Sequence, residues 1–286
     1  MSSSRTQPAL QPYLQGKIAL VTGVTSGLGW GVAKSFAQRG AEVFGLSRRE
    51  DRGHALEQEI RAAGQRFTFL TCDIADAAQC EAAVKNVLAR SGRIDVLINN
   101  AGTGGARPVQ RIEHMSEGEW DEVLATNLRA AFTLSRLVLP SMQAQRAGVV
   151  LNIASINAVI GVANMAAYNA SKAGLVHFTN TLAVENAVHG IRAIAIILGG
   201  VRSEMNTFVA DEMARSLRGA DWQRSPESNA RAAAQMGDPE EYGRALALLC
   251  SDDARPITGA TIALDAGISA GAAASTLIYL GASDLV

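Results

Sequence analysis

Cysteine is scarce. Cys72, Cys80 and Cys250 are scattered, odd in number and form no CxxC pair. That argues against a disulfide framework and against a cysteine-built zinc site. They read instead as buried reduced thiols, because free cysteine behaves as a small hydrophobe. The four histidines, His54, His114, His177 and His189, show no ligand spacing, so no metal is expected. Charge of one sign is lacking too. The net charge is -1 and basic residues form no long run, which leaves no electrostatic footprint for a nucleic-acid partner. No apolar run reaches the roughly 20 residues that span a bilayer, so no membrane partner is expected. The opening stretch, MSSSRTQPALQPYLQG, has no apolar segment of the secretory kind. A cytoplasmic protein is the expectation.

What is present is an alternation. Short β-rich runs stand at 17–22, 42–46, 67–71, 95–99, 149–153, 194–198 and 261–264, with segments of helical periodicity between most of them. The first six runs are apolar with little strict alternation, the pattern of strands buried on both faces of a parallel sheet. Strand and helix in turn predict an α/β, doubly wound, mostly parallel sheet, a Rossmann fold, built as one domain. Residues 1–15 read as a flexible tail, 16–267 as the folded domain and 268–286 as a C-terminal extension carrying the apolar cluster TLIYL. A helical, polar insertion at 203–236 breaks the rhythm after the sixth run and reads as a lid. Trp30 and Gly31 open the first helix, the tryptophan suited to a surface or subunit contact.

The first run leads directly into TGVTSGLGWG, where Gly23, Gly27 and Gly29 have the spacing GxxxGxG. Glycine lets a backbone turn tightly and approach a pyrophosphate, and the helix that follows offers free N–H groups and a positive dipole end. Nucleotide binding follows from that context. Further along, Tyr168 and Lys172 stand four residues apart in YNASKAG. On a helix they share one face, where a phenol beside an ammonium is either a solvated accident or a tuned acid.

Several motifs in fixed order then give a resemblance. TGxxxGxG, NNAG at 99–102, Asn127 in ATNLRAAF, Ser155 thirteen residues before Tyr168, and YNASK together resemble the classical short-chain dehydrogenases/reductases over about residues 15–267. The resemblance implies a catalytic set of Asn127, Ser155, Tyr168 and Lys172. In it Tyr168 is the general acid or base of ketone reduction or alcohol oxidation, and Ser155 positions the substrate oxygen. Lys172 lowers the phenol's pKa from its ordinary value of about 10 and bonds the nicotinamide ribose, and Asn127 holds a water that links Lys172 to solvent. The cofactor contacts it implies are Gly23, Thr25, Ser26, Gly27, Leu28 and Gly29 in the loop, and Asn100, Ala101 and Gly102 after the fourth strand. Tyr168, Lys172, Gly199, Val201 and Ser203 complete them, with Asp73 and Ile74 at the adenine.

The second run ends in Ser47, Arg48 and Arg49, with no acid before Glu50. An acid there would hold the ribose 2′-OH of NAD, whereas arginine matches a 2′-phosphate by charge and forked geometry. NADP(H) is therefore the preferred cofactor, with NAD(H) the other possibility. One stretch departs from the family pattern: AIAIILGGVRS at 193–203 has Ile194 for the usual asparagine and Leu198 for the usual proline. Loss of the fixed proline φ predicts a more mobile loop or a wider pocket.

In the lid, Met205, Phe208, Val209, Met213, Leu217 and Trp222 suggest an apolar substrate wall or, equally, core packing. Arg107 reads as a solvated charge, and GDPEEYGRALALL at 237–249 as the helix after the lid. The expected function is an NADP(H)-dependent ketone reductase or secondary alcohol dehydrogenase acting on a small carbonyl or alcohol substrate. A 3-oxoacyl reductase is one option, although no basic patch for a carrier protein is evident. The alternatives are an imine or activated-alkene reductase on the same fold and a non-catalytic cofactor-binding scaffold. A homotetramer or dimer is compatible with the long helices.

Overall fold

A computed structural model describes residues 11–219, 221–223, 225 and 236–270. Seven strands form one sheet in the order β3-β2-β1-β4-β5-β6-β7. They are β1 Ile18–Thr22, β2 Glu42–Ser47, β3 Arg66–Thr71, β4 Val96–Asn99, β5 Gly148–Ile153, β6 Ile191–Leu198 and β7 Thr261–Leu264. Every neighbouring pair is parallel. Successive residues of β1 show why its sequence is apolar throughout. Ala19 and Val21 belong to the core on one face, with Val32, Phe36, Leu56, Ile60 and Leu246. Ile18 and Leu20 belong to the core on the other, with Val84, Val87, Leu134, Val138 and Leu182. A strand covered on both sides has no polar face to present.

The helices that cover the first face are α1 Gly27–Gln38, α2 Glu50–Ala62 and, late in the chain, a helix over Pro239–Cys250. The other face is covered by α3 Ala77–Ser91, by α4 Glu117–Leu124 running on into α5 Ala130–Gln145, and by α6 Ala166–Asn186. Then come α7 Glu204–Arg218, a helix of the lid, and α8, the Pro239–Cys250 helix. Their ends follow local chemistry. Asp76 caps α3 by accepting from Ala78 N and Gln79 N, and Ser116 with Glu119 forms a reciprocal capping box on α4. Asp238 caps α8, whose first residue is Pro239, where a missing N–H costs nothing.

Two expectations are corrected. β6 starts at Ile191 because Arg192, which interrupts the apolar run, is buried and donates to the carbonyls of Ile257 and Ser251. Residues within the expected tail join the body: Leu14 is fully buried, its N–H donates to Arg39 O, and Tyr13 stacks under the Arg39 guanidinium. The loop after β6 keeps its ladder despite lacking proline, since Leu198 pairs with Leu264 and Gly199 N donates to Leu264 O at 3.0 Å. Trp30 carries Lys34 Nζ 4.2 Å from its ring centroid. The cluster TLIYL lies outside the described residues.

β1 feeds β2 on one side and stands beside β4 on the other, so the chain reverses its winding direction there. In open α/β sheets the crevice outside the carboxyl ends of such strands is the ligand site.

Candidate active site

At the carboxyl end of β1 the chain turns at Gly23, with φ of +74°, and enters α1 at Gly27, with φ of +54°. Gly29 answers a different need. A Cβ on it would lie 2.2 Å from Gly23 O and 2.5 Å from Asn100 Nδ2, so only a hydrogen allows the first turn of α1 to sit this close to the loop. The NNAG segment fastens the same corner. Asn100 N and Ala101 N both donate to Thr22 Oγ1 at 2.9 Å, and Asn100 Nδ2 donates to Thr22 O at 2.8 Å. Ser26, at the helix N-cap, makes no side-chain cap bond. The N–H groups of the first turn therefore face the loop's concavity, a ready anion site.

The end of β2 closes one side of this concavity. Thr25 Oγ1 and Ser47 Oγ are 2.8 Å apart. Arg49 donates from Nε to Thr25 Oγ1 at 3.2 Å and from Nη2 to Ser26 Oγ at 2.8 Å. Arg48 points outward, its Nη1 3.8 Å from Asp73 Oδ2. The resulting cleft has a volume of about 390 Å³ and is bordered by Gly23, Thr25 to Leu28, Ser47 to Arg49, Asp73, Ile74 and Asn100 to Gly102. Ser155, Tyr168, Lys172, Gly199 and Val201 also line it, and so does Ser203, which lies against Gly27. Gly29 and Asn127 do not line it. The glycine turns, the uncapped helix end and two arginines at the rim fit a dinucleotide with an added phosphate.

Tyr168 and Lys172 lie one turn apart on α6, with the ammonium 5.7 Å from the phenol ring centroid. Lys172 is buried and donates from Nζ to Ile153 O at 2.8 Å. Burial drives its pKa down to about 8. Burial also pushes the Tyr168 phenol up, with a hydrogen bond to Ser155 acting against it. The expectation that Lys172 lowers the phenol is thus not met in this state: desolvation of the phenolate dominates, and the ammonium is turned toward a carbonyl.

Ser155 follows β5 and heads a short 3-10 turn at Ile156–Ala158. Its Oγ donates to Asn157 Oδ1 at 3.2 Å, Asn157 Nδ2 donates to Asn169 Oδ1 at 2.8 Å, and Asn169 Nδ2 donates to Val162 O at 2.7 Å. The carbonyl at the end can only accept, so it orients both amides and the serine proton. Asn127 sits in a single π-helical turn, Ala125–Arg129, between α4 and α5, a distortion that recurs at functional sites. It clamps Thr103 by accepting from its N–H at 2.8 Å and donating to its C=O at 2.9 Å, and it also donates to Ser171 Oγ at 3.0 Å. A Cβ on Gly102 would be 3.2 Å from Asn127 Oδ1 and 3.3 Å from Lys172 Nζ, which places the two side chains around one point.

A second, apolar cavity of about 80 Å³ opens on the other side of Ser155 and Tyr168. Val162, Met165, Met205, Val209, Met213 and Met236 line it, with Asn157 and Asn206 as polar groups. Of the expected lid residues, Phe208 and Leu217 instead face solvent and Trp222 is half-buried away from the cavity. Arg107 makes a two-bonded pair with Glu119 at 2.7 and 2.8 Å. Asn157, Asn169, Val162 and Met165 were not anticipated. The spacing of Asn157 two residues after Ser155, and of Asn169 beside Tyr168, was the available signal. The three cysteines are free and buried, and no cluster of metal-ligating side chains occurs among the described residues.

Comparison with known proteins adds three findings. The family profile described as short chain dehydrogenase matches residues 17–214. The 3-oxoacyl-[acyl-carrier-protein] reductases of Salmonella typhimurium and Escherichia coli are each 34% identical over 254 residues, 89% of this chain and 98% of theirs. Among solved structures, levodione reductase superposes with a TM-score of 0.80 at 30% identity, covering 91% of this chain and 100% of that one. A variant of actinorhodin polyketide ketoreductase with NADPH gives 0.79 at 32% identity, over 89% and 97%.

Proposed function

The chain belongs to the classical short-chain dehydrogenase/reductase family, and from that premise we propose that it is an NADP(H)-dependent reductase of ketones, or a dehydrogenase of the matching secondary alcohols. One observation carries this reading. The polar cleft and the apolar cavity share Ser155 and Tyr168 in their linings. A cofactor in the first and a carbonyl compound in the second would meet at the two hydroxyls that can bind and protonate a carbonyl oxygen.

The nicotinamide, when bound, supplies the hydride to the carbonyl carbon. The chain's own residues do the rest. Ser155 turns its proton from Asn157 to the substrate oxygen and holds it beside Tyr168, a contribution of position and charge stabilisation. Tyr168 transfers its hydroxyl proton to that oxygen, which leaves an alcohol and a phenolate. Lys172 stabilises the phenolate once its ammonium swings from the Ile153 carbonyl. Oxidation runs the same transfers backward, with the phenolate as base. Burial alone makes the phenol a weaker acid, so proton transfer needs the charge of Lys172 brought near it to draw its pKa back toward the working pH.

Arg49 and Arg48 support NADP(H) over NAD(H). The apolar, methionine-rich cavity supports a substrate with an apolar body, since methionine adapts to irregular shapes. Exposed Phe132, Val184 and Val188 on and just after the α5–α6 face support assembly as a homotetramer or dimer. No helix among the described residues is long and apolar enough to cross a membrane, and a cytoplasmic location is part of this reading. The test is loss of reduced-cofactor absorbance with cyclic, aryl and β-keto ketones, NADPH and NADH in parallel. Turnover with NADPH is the expected result; turnover with neither cofactor on any of them would count against a reductase.

A further inference from the structure

The lid helix brings one carboxylate to the rim of the polar cleft. Glu204 is the first residue of α7. Its Oε2 accepts from Arg49 Nη1 at 2.8 Å and its Oε1 from Arg52 Nη1 at 2.6 Å. Each nitrogen of the Arg49 guanidinium is thereby engaged: Nε is on Thr25, Nη2 on Ser26 and Nη1 on Glu204. The two guanidiniums hold the Glu204 carboxyl below the usual carboxylate range, so it is an anion at any neutral pH.

The contact is dictated by the approach of the two elements. A Cβ on Gly27 would lie 2.8 Å from Ser203 Cβ, so the N-cap of α7 rests directly on the glycine loop. Ser203 Oγ accepts from Asn206 N at 3.1 Å and fixes the first turn of the helix. While α7 keeps this seat Glu204 stays at the rim, with an exposed side chain that can swing between the arginines and solvent. As an ion pair it contributes little to stability, because both partners are substantially exposed. What it does is occupy, with a two-oxygen anion bridging two arginines, the place where a 2′-phosphate would be recognised.

We propose that Glu204 is a specificity-determining residue, an internal stand-in for the 2′-phosphate of NADP(H) that holds Arg49 and Arg52 until the phosphate takes them over. The inference rests on the NADP(H) reading above and extends it. A phosphate near neutral pH carries more charge than one carboxylate and displaces it. NADH brings no such anion and leaves Glu204 in place. Cofactor choice is then a difference between two exchanges, and Glu204 lowers the advantage that the arginines alone would give to NADPH.

The test is direct binding, without substrate, by titrating the full chain with NADPH, NADH and 2′,5′-ADP at low and high salt. Wild type is compared with Glu204→Gln, Glu204→Ala and Arg49→Ala, with thermal unfolding to verify that each is folded. Glu204→Gln should tighten NADPH and 2′,5′-ADP three- to fivefold and leave NADH within twofold, with the gain shrinking at high salt. The same gain from a wild type that shows no preference would equally support the proposal. A preference for NADPH that Arg49→Ala abolishes but that both Glu204 variants leave unchanged, or weaken, would overturn it while the NADP(H) reading stands. Equal binding of NADPH and NADH in every variant would overturn both.

Discussion

Replacing Gly29 with alanine tests the cofactor cradle at its tightest point. The added methyl would lie 2.2 Å from Gly23 O and 2.5 Å from Asn100 Nδ2. Unstrained heavy-atom contacts need about 3.5 Å, so loop and helix must separate by roughly an ångström. Neither obstacle yields easily: one is backbone, and the other is pinned to Thr22 O at 2.8 Å. Such overpacking costs about 1–3 kcal/mol. At this chain length each kcal/mol moves Tm by about 2–4 °C, so Tm should fall by roughly 2–12 °C. The same displacement spoils the close approach of backbone to pyrophosphate, and NADPH affinity should drop about tenfold or more. Gly64→Ala is the control. It has φ of +76° and nothing within 4 Å, so it carries conformational strain of about 1–2 kcal/mol and should leave cofactor binding alone. Calorimetry and cofactor titration read both variants. A Gly29→Ala protein with wild-type Tm and wild-type NADPH affinity would refute the steric reasoning.

Other outcomes follow from the same geometry. Lys172 has a pKa lowered from 10.5 to about 8, so the unfolded chain binds its proton more tightly. That costs the fold about 3 kcal/mol below pH 8, a cost relieved as pH rises from 8 to 10.5. Lys172→Met should therefore raise the urea midpoint at pH 7, less so at pH 10, while abolishing turnover; a lower midpoint at pH 7 would contradict the burial argument. Asn127→Ala removes both bonds to Thr103 and should cost about 1–3 kcal/mol, with faster amide exchange at Thr103 as its signature. Val209→Phe should fill the apolar cavity, raising KM for bulky ketones several-fold with NADPH affinity unchanged; a parallel loss of cofactor binding would mean that the two cavities are not separate.

Much of the fold was legible because a strand buried on both faces has to be apolar at every position. All seven β-rich runs became strands, although the edge strands β3 and β7 alternate in burial along their length. The misplaced start of β6 came from Arg192, a buried charge satisfied by carbonyls 59 and 65 residues away, which no local pattern announces. Leu14 was read as tail because a single apolar residue among polar neighbours gives no period. In the site, Tyr168, Lys172 and Ser155 were legible by spacing, and the structure gathers them at one junction. The direction of the Tyr168 shift was not, since it depends on how deeply the phenol is buried and where the ammonium points. Nor was the partition of the lid: Met213 faces inward while Phe208 faces solvent, a matter of how α7 docks rather than of hydrophobicity. Glu204 escaped notice for a similar reason, because its partners Arg49 and Arg52 stand 155 and 152 residues earlier in the chain.

The central claim is that Tyr168 gives the proton as the nicotinamide gives the hydride. Single turnover with C4-deuterated NADPH and a ketone tests it, the alcohol being read by mass. The account predicts one deuterium on the carbinol carbon with wild type and no labelled alcohol with Tyr168→Phe, although that variant still binds NADPH. Label transfer at the wild-type rate without the phenol would contradict it.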